Sequence, residues 1–304
     1  MNNNKKPLHG MYYRRKVMLA LLDAMGSSLS KTDLQKLLFL LTRKQEKPVY
    51  DFMPYRFGCF SAQANQDLHT LVKYEFIKET AEGWQLTSDL DFQETLNTTD
   101  RKILTAFTQQ AGVLRGDKLI HFVYTNYPEY AIKSEIAEDI LTPNELLKIK
   151  DVYPEKAGSV LYTIGYEGKT VEKYINELIH EDVKVLCDVR KNPFSMKYGF
   201  SKKNLKTLLG GVGIEYFHLP GLGISSDERK NLKSASDYQI LFEEYKRTTL
   251  RDNENDLQQL VALYKKKQRI ALTCFEADHK SCHRSHTAES VKRLAGEKTT
   301  LVHL

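Results

Sequence analysis

From Ser159 onward, short apolar runs alternate with segments of helical composition, and this alternation restricts the fold more than any other feature of the sequence. Ser159–Gly165 is an apolar run closed by a glycine, and Val183–Arg190 is a second that ends in charges. Ile214–Leu219 is a third, Ile270–Leu272 opens a fourth, and Thr300–His303 is the last. Between them, Thr170–Ile179, Ser201–Leu209 (with Ser201 as N-cap), Ser236–Arg247, Asn255–Lys266 and Ser285–Leu294 read as helices. A βαβα order predicts a mainly parallel sheet with helices on both faces, joined by right-handed crossovers. The expected fold class is therefore α/β, a Rossmann-like domain over residues 158–304.

Such a topology gathers the residues at the C-terminal ends of the strands along one sheet edge. Those residues are polar: Tyr166 and Glu167, then Asp188 and Arg190, then His218, then Cys274 and Glu276. The densest stretch follows the fourth strand, where Cys274, Glu276, Asp278, His279, Cys282, His283 and Arg284 stand close together just before a helix. The first N–H groups of that helix favour anions.

Arg190 and Arg284 can each hold a phosphate or carboxylate through two parallel hydrogen bonds. Gly165 and Gly168 permit close backbone approach to a ligand. Asp188 and Glu276 can divide acid and base roles, or one can stabilise an oxocarbenium-like state in cleavage of a sugar–base bond. Equally, Asp188–Arg190 or Glu276–Arg284 can be structural ion pairs. Cys274 is a candidate nucleophile, its thiolate favoured by the helix N-terminus and Arg284, or else a small buried hydrophobe with no obvious histidine partner. His218 and His283 are candidate proton carriers, or partners of backbone carbonyls. Structural zinc ligands usually come in pairs about two to four residues apart. Seven residues separate Cys274 from Cys282, and the adjacent Cys282 and His283 would diverge on a helix, so no metal is expected. The residues name no cofactor.

The first part of the chain reads differently. Met18, Leu19, Leu21, Leu22 and Met25 form a helical stripe, and Lys31–Thr42 is a second helix with Leu34, Leu37, Leu38 and Leu41 inward. Pro48–Pro54 reads as a loop, and a third helix follows with Ser61 as N-cap. Phe76–Leu86 reads as a hairpin turning at Glu82-Gly83. Helices followed by a two-stranded wing suggest a winged helix over residues 1–97. Lys31, Lys36, Arg43, Lys44, Lys47 and Arg56 would touch phosphates if the module binds DNA, or form a solvated basic face if it docks a protein. Residues 98–157 read as a helical extension ending in a linker, since Pro143, Pro154 and Gly158 punctuate Leu141–Gly158.

Two resemblances accompany these patterns. Thr163-Ile-Gly-Tyr-Glu-Gly168, Asp188-Val-Arg190 with Pro193 and Ser195, Tyr216 with Leu222-Gly223, and Cys274-Phe-Glu276 with Cys282-His-Arg284 resemble the domain-of-unknown-function family 488. That resemblance implies a compact Rossmann-like domain, sometimes fused to nucleic-acid modules, and adds Ser195 to the ligand-binding candidates Gly165, Tyr166, Glu167, Gly168, Arg190 and Arg284. It implies no established reaction. Leu222-Gly-Ile224 departs from the pattern where a second glycine is expected. Leu34–Leu40, Tyr50–Ser61 and Asp67–Leu71 resemble the SocA-like (Panacea) antitoxin domain and related winged-helix modules, with Cys59 in place of the expected proline.

At 304 residues with 41% hydrophobic content, the chain can bury two cores. Its net charge of +6 is compatible with a polyanionic partner. No apolar run approaches the ~20 residues of a membrane span. The N-terminal Met1-Asn-Asn-Asn-Lys-Lys-Pro lacks a signal-peptide core, so a cytoplasmic protein with free thiols at Cys59, Cys187, Cys274 and Cys282 is expected. The expected function is an enzyme acting on a nucleotide or nucleic acid, by sugar–base or phosphate-ester chemistry, placed on DNA or a protein partner by its N-terminal module. The alternative is a non-enzymatic regulator or defence-type binding protein whose α/β domain senses a small anionic ligand.

Overall fold

The leucine stripes of the first part become three helices around one apolar core. The computed structural model describes residues 10–304 except 89, 226, 230, 231, 233 and 297. The chain divides into two compact units between Val152 and Tyr153.

In the N-terminal unit, α1 (Tyr13–Ala24), β1 (Ser28–Leu29), α2 (Lys31–Thr42), β2 (Met53–Tyr55), β3 (Gly58–Phe60) and α3 (Ala62–Lys73) are followed by β4 (Ile77–Glu79) and β5 (Trp84–Leu86). The N-caps are local: Ser30 Oγ accepts from Asp33 N–H at 3.0 Å, and Ser61 Oγ accepts from Ala64 N–H at 3.2 Å. The hairpin β4–β5 pairs Ile77 with Leu86, and β1 adds to its free side, giving the order β1-β5-β4. Gly83 turns this hairpin at φ +148°, where a Cβ would strike the backbone of Leu29 and Ser30. The hairpin β2–β3, where the sequence suggests a loop up to Pro54, pairs Met53 with Phe60.

The remaining helices are α4 (Thr98–Ala111), α5 (Gly116–Asn126), the single turn α6 (Ala137–Ile140) and α7 (Pro143–Val152). Leu104 and Phe107 of α4 and Leu119 and Val123 of α5 join Leu22, Leu37 and Leu71 in the same buried cluster. The expected linker from Leu141 is corrected: Pro143 is the first residue of α7, where its missing N–H costs nothing. Thr142 and Glu145 exchange hydrogen bonds as a capping box there, with Thr142 N–H donating to Glu145 Oε2 at 2.9 Å.

The C-terminal unit alternates as the sequence predicts: β6 (Val160–Gly165), α8 (Val171–His180), β7 (Val185–Asp188), α9 (Lys202–Gly210) and β8 (Glu215–His218). Then come α10 (Ala235–Arg247), α11 (Thr249–Asp252), α12 (Glu254–Lys267), β9 (Arg269–Cys274), α13 (His283–Ala295) and β10 (Thr300–His303). The five strands form one sheet in the order β10-β6-β9-β7-β8, and every neighbouring pair is parallel. Val185, Cys187, Ile270 and Leu272 pack against Phe242, Leu257, Leu260, Ala288 and Val291 of α10, α12 and α13. The alternate residue Thr273 faces the other way and receives the Tyr174 hydroxyl of α8 at 2.7 Å. Helices thus cover both faces. The chain leaves β6 toward β7 and leaves the neighbouring β9 toward β10, in opposite directions along the sheet. The helix after β6 (α8) and the helix after β9 (α13) therefore lie on opposite faces, and adjacent strands whose connections leave to opposite faces open a crevice at their C-terminal ends.

Candidate active site

The register brings Gly165 opposite Cys274 and Asp188 opposite Thr273, so the segments after β6, β7 and β9 leave the sheet at one edge. A cleft of about 530 Å³ opens there, lined among others by Tyr166, Arg190, Lys191, Phe194, Ser195, Met196, Arg229, Cys274 and His283.

Its floor is a buried cluster of soft donors. Cys274 ends β9 on the face covered by α13, while Cys282 is the N-cap of α13 and His283 its first residue. Cys282 has extended backbone (φ −138°, ψ 136°), so it does not share the helical spacing of its neighbour. The expected divergence of Cys282 and His283 is therefore corrected. The sulfurs of Cys274 and Cys282 and a ring nitrogen of His283 all lie within 4.8 Å of one another. Cys274 also has the histidine partner that the sequence did not reveal: its Sγ is 3.7 Å from His283 Nδ1, and Cys282 Sγ is 4.0 Å from the same atom. His283 Nε2 lies 3.0 Å from the Val189 carbonyl, which accepts its N–H and leaves the Nδ1 lone pair toward the sulfurs. A hydrogen bond from Cys282 pulls the Cys274 thiol well below its ordinary value, helped by His283 and Arg229, while burial pushes Cys282 up. Burial opposes charge on His283, but the Cys274 sulfur outweighs it and raises the imidazole.

The expected catalytic pair of carboxylates is not formed. Asp188 is fully buried and accepts from Arg190 Nε at 2.8 Å, Arg190 Nη2 at 2.5 Å, the Arg190 backbone N–H at 3.1 Å and the Tyr216 hydroxyl at 2.6 Å. A carboxylate so fully used is a structural anchor, not a base, which corrects its catalytic assignment. Arg190 is committed to the same pair and to the Tyr166 hydroxyl at 2.9 Å, although it borders the cleft. Arg284 is corrected too. It is wholly buried, and its guanidinium donates to the carbonyls of Glu276 (2.6 Å) and Ala277 (3.1 Å), clamping the loop after β9 instead of holding a ligand. Glu276 pairs with Arg229 rather than Arg284, and its Oε2 is buried without a hydrogen-bond partner.

The glycine loop is also structural. A Cβ on Gly165 would run into the Glu276 carbonyl, so glycine is needed here for close packing of the two loops. The N–H groups of Tyr166 and Glu167 both donate to Phe275 O, at 3.1 and 2.9 Å, and Glu167 Oε2 accepts from Ala277 N–H at 2.9 Å. Gly168 takes a positive φ of +75° in the turn that follows. The Tyr166 ring stacks on Phe200 at 4.3 Å. Ser195 Oγ accepts from Lys197 N–H at 3.2 Å in the loop that walls the cleft. His218 Nε2 meets the Arg190 carbonyl at 3.0 Å, the backbone alternative to proton carriage.

The family model for Domain of unknown function DUF488 matches residues 170–291. That match lies within the C-terminal unit and contains Asp188, Arg190, Cys274, Glu276, Cys282, His283 and Arg284. No curated protein and no solved structure matches the chain. The sequence reading missed Arg229, whose guanidinium pairs with Glu276 and lies 2.8 Å from His283 Nδ1. Asp227-Glu-Arg-Lys230 reads as a solvated charge run, and no spacing within it singles out the arginine.

In the N-terminal unit the candidate phosphate contacts separate. Lys31 is exposed and pairs with Glu79 at 2.5 Å; Arg43 is exposed and lies over the Tyr127 ring at 5.1 Å. Lys44 is exposed, and Arg56, also exposed, is 3.6 Å from Glu135. Lys36 is corrected: it is 1% exposed, its ammonium donates to the Phe57 carbonyl, and burial lowers its pKa. It is a core residue whose ammonium is already used by a backbone carbonyl. Among the described residues no helix is long and apolar enough to cross a membrane.

Proposed function

We propose that the C-terminal unit is an enzyme acting on a nucleotide or nucleic acid, and that the N-terminal unit places it on DNA or on a protein partner. One observation carries the reading: the cleft combines a reactive floor, a cationic wall and an exposed apolar rim. Cys274 and His283 form the floor, with Glu276 behind Arg229. Lys191 and Arg229 supply positive charge for a phosphate. Phe194 and Met196, 69% and 92% exposed, offer the flat apolar surface on which a base can stack. Of the two carboxylates considered for acid–base work, Asp188 is held with Arg190 in their own pair, which leaves Glu276, paired with Arg229. Sugar–base and phosphate-ester cleavage both fit a cleft that holds an anion beside a carboxylate. For the N-terminal unit, the helices α1, α2 and α3 followed by the β4–β5 hairpin, with β1 completing the sheet β1-β5-β4, support the winged-helix reading, and the β2–β3 hairpin is an addition between α2 and α3.

The test is product detection by mass spectrometry after incubating the full chain with nucleosides, nucleotides, and single- and double-stranded nucleic acid. Wild-type protein should convert at least one class, Glu276→Gln should fold and bind but not turn it over, and Lys191→Ala should weaken binding. Binding that depends on Lys191 without any turnover would return the protein to the alternative, a sensor of small anions. No binding and no turnover would sink both readings.

A further inference from the structure

We propose that Cys274, Cys282 and His283 hold a divalent transition-metal ion, zinc by donor chemistry, with its fourth position open to the cleft. This goes beyond the functional reading and rests on ligand geometry alone. With Zn–S near 2.3 Å and Zn–N near 2.0 Å, tetrahedral ligand atoms lie about 3.5–3.8 Å apart. The two sulfur–nitrogen separations here are 3.7 and 4.0 Å, and all three donor atoms lie within 4.8 Å. An ion at their centre needs a small contraction of side chains that already converge and the displacement of Arg229 Nη2 from His283 Nδ1.

The histidine is prepared in the way metal-binding histidines are. Its Nε2–H is fixed by the Val189 carbonyl at 3.0 Å, so the tautomer with the lone pair on Nδ1 is the one held in place. The backbone supports this arrangement. Cys274 ends a central strand and His283 opens α13, with Cys282 turned inward by its extended conformation. Burial, at 2%, 1% and 1% exposure, keeps the donors in a dry setting. Two thiols and an imidazole form a soft set that suits zinc and excludes magnesium and calcium, which want oxygen.

Three protein ligands rather than four mark a site of the reactive type, with room for a water or a substrate group. Cys274 and His283 both line the cleft, so that open corner faces it. A candidate base is Glu276, two residues beyond the first ligand, with one carboxylate oxygen buried and unpartnered. Arg229 Nη2 lies 2.8 Å from His283 Nδ1 and donates to the lone pair the ion would use. Guanidinium and ion are therefore alternatives at this corner, and metal binding frees Arg229 Nη2 while Nη1 keeps its pair with Glu276.

The full chain, purified with a reductant and no chelator and exchanged into metal-free buffer, is analysed for metal by plasma mass spectrometry. About one zinc per chain is expected for a site of this kind. Cobalt(II) in place of zinc should give the visible bands of a four-coordinate ion and a near-ultraviolet thiolate-to-cobalt band. Cys282→Ser should lose the thiolate band in part and release metal to a chelator at least about a hundredfold more readily. Cys59→Ser, altered in the N-terminal unit, should keep both signals, and Arg229→Ala should hold metal at least as tightly as wild type. Wild-type protein that takes up neither zinc nor cobalt overturns the proposal. So does an unchanged cobalt spectrum in folded Cys282→Ser, or recovery of Cys274 and Cys282 as a disulfide after anaerobic handling. Metal content is read without substrate. A loaded but inactive protein therefore sinks the enzyme reading and leaves the metal site, whereas an active, metal-free protein does the reverse.

Discussion

Replacing Asp188 by Asn tests whether this residue works as an anchor or as a catalyst. The side chain is 0% exposed and accepts four hydrogen bonds, three of them from Arg190, itself 6% exposed. Asn keeps the shape but removes the charge, and its amide NH2 would face guanidinium donors that need an acceptor. Leaving a buried arginine without its counter-charge costs about 3–5 kcal/mol. At about 1.4 kcal/mol per decade, local opening should become a hundred- to several-thousand-fold more frequent. Hydrogen exchange read by mass spectrometry should show this in peptides covering 183–190 and 214–219, because the pair joins β7 to Tyr216 of β8. Asp188→Leu combined with Arg190→Met removes both charges, and should recover most of the lost protection. An Asp188→Asn variant that exchanges like wild type yet abolishes turnover would refute the anchor role, for then the carboxylate serves the reaction and not the sheet.

Further expectations concern the buried and close-packed positions. Gly165→Ala should destabilise the chain by about 1–3 kcal/mol in urea titration, since the clash is with the Glu276 backbone, itself clamped by Arg284. Lys36→Glu should unfold the N-terminal unit, seen as loss of the native fluorescence of the single tryptophan, Trp84, whereas Lys36→Met should remain folded. If the N-terminal unit binds duplex DNA, Arg43→Glu with Lys44→Glu should weaken it and flatten its salt dependence by about one unit for each phosphate no longer neutralised; unchanged binding would point to protein docking. Burial pushes the Glu181 carboxyl up, but hydrogen bonds from Lys156, His180 and Tyr162 outweigh it and hold it below the usual carboxylate range. A depressed carboxylate stabilises the fold above its unfolded pKa, about 4.3, and that contribution is lost as pH falls through the lower folded value. The melting difference between wild type and Glu181→Gln should therefore shrink in acid, and a difference independent of pH would contradict this.

Much of the fold is legible in the sequence because it rests on local periods. The helix Lys31–Thr42 is marked by its leucines, and the strands of the C-terminal unit are apolar runs too short to be helices. What escapes the sequence has equally local reasons. Three-residue strands such as Met53–Tyr55, with a proline inside, carry no readable alternation. Pro143 looks like a stop until Thr142 and Glu145 are read as a capping box, a signal present in the sequence. In the site, helical spacing misplaces Cys282 by one residue, since it is the extended N-cap and not the first turn. Lys36 lies among leucines on a helix buried nearly all round, and charge alone does not reveal that its ammonium has a carbonyl to meet.

The same logic separates structural from reactive groups at the sheet edge. A buried charge must be answered, and near a strand end the cheapest answers are local: Arg190 answers Asp188 two residues away, and backbone carbonyls answer Arg284. Charged residues that look most catalytic in the sequence are thus the ones the fold itself consumes. Groups that remain in and behind the cleft with capacity to act are of another kind. They are two thiols and an imidazole nitrogen facing one another, and a carboxylate oxygen without a donor. Such a set gains little for the sheet, since small side chains would fill the same space, and an unpartnered carboxylate oxygen is a cost. Their convergence from β9, the α13 N-cap and the first turn of α13 is therefore better explained by something that binds among them than by the needs of the sheet.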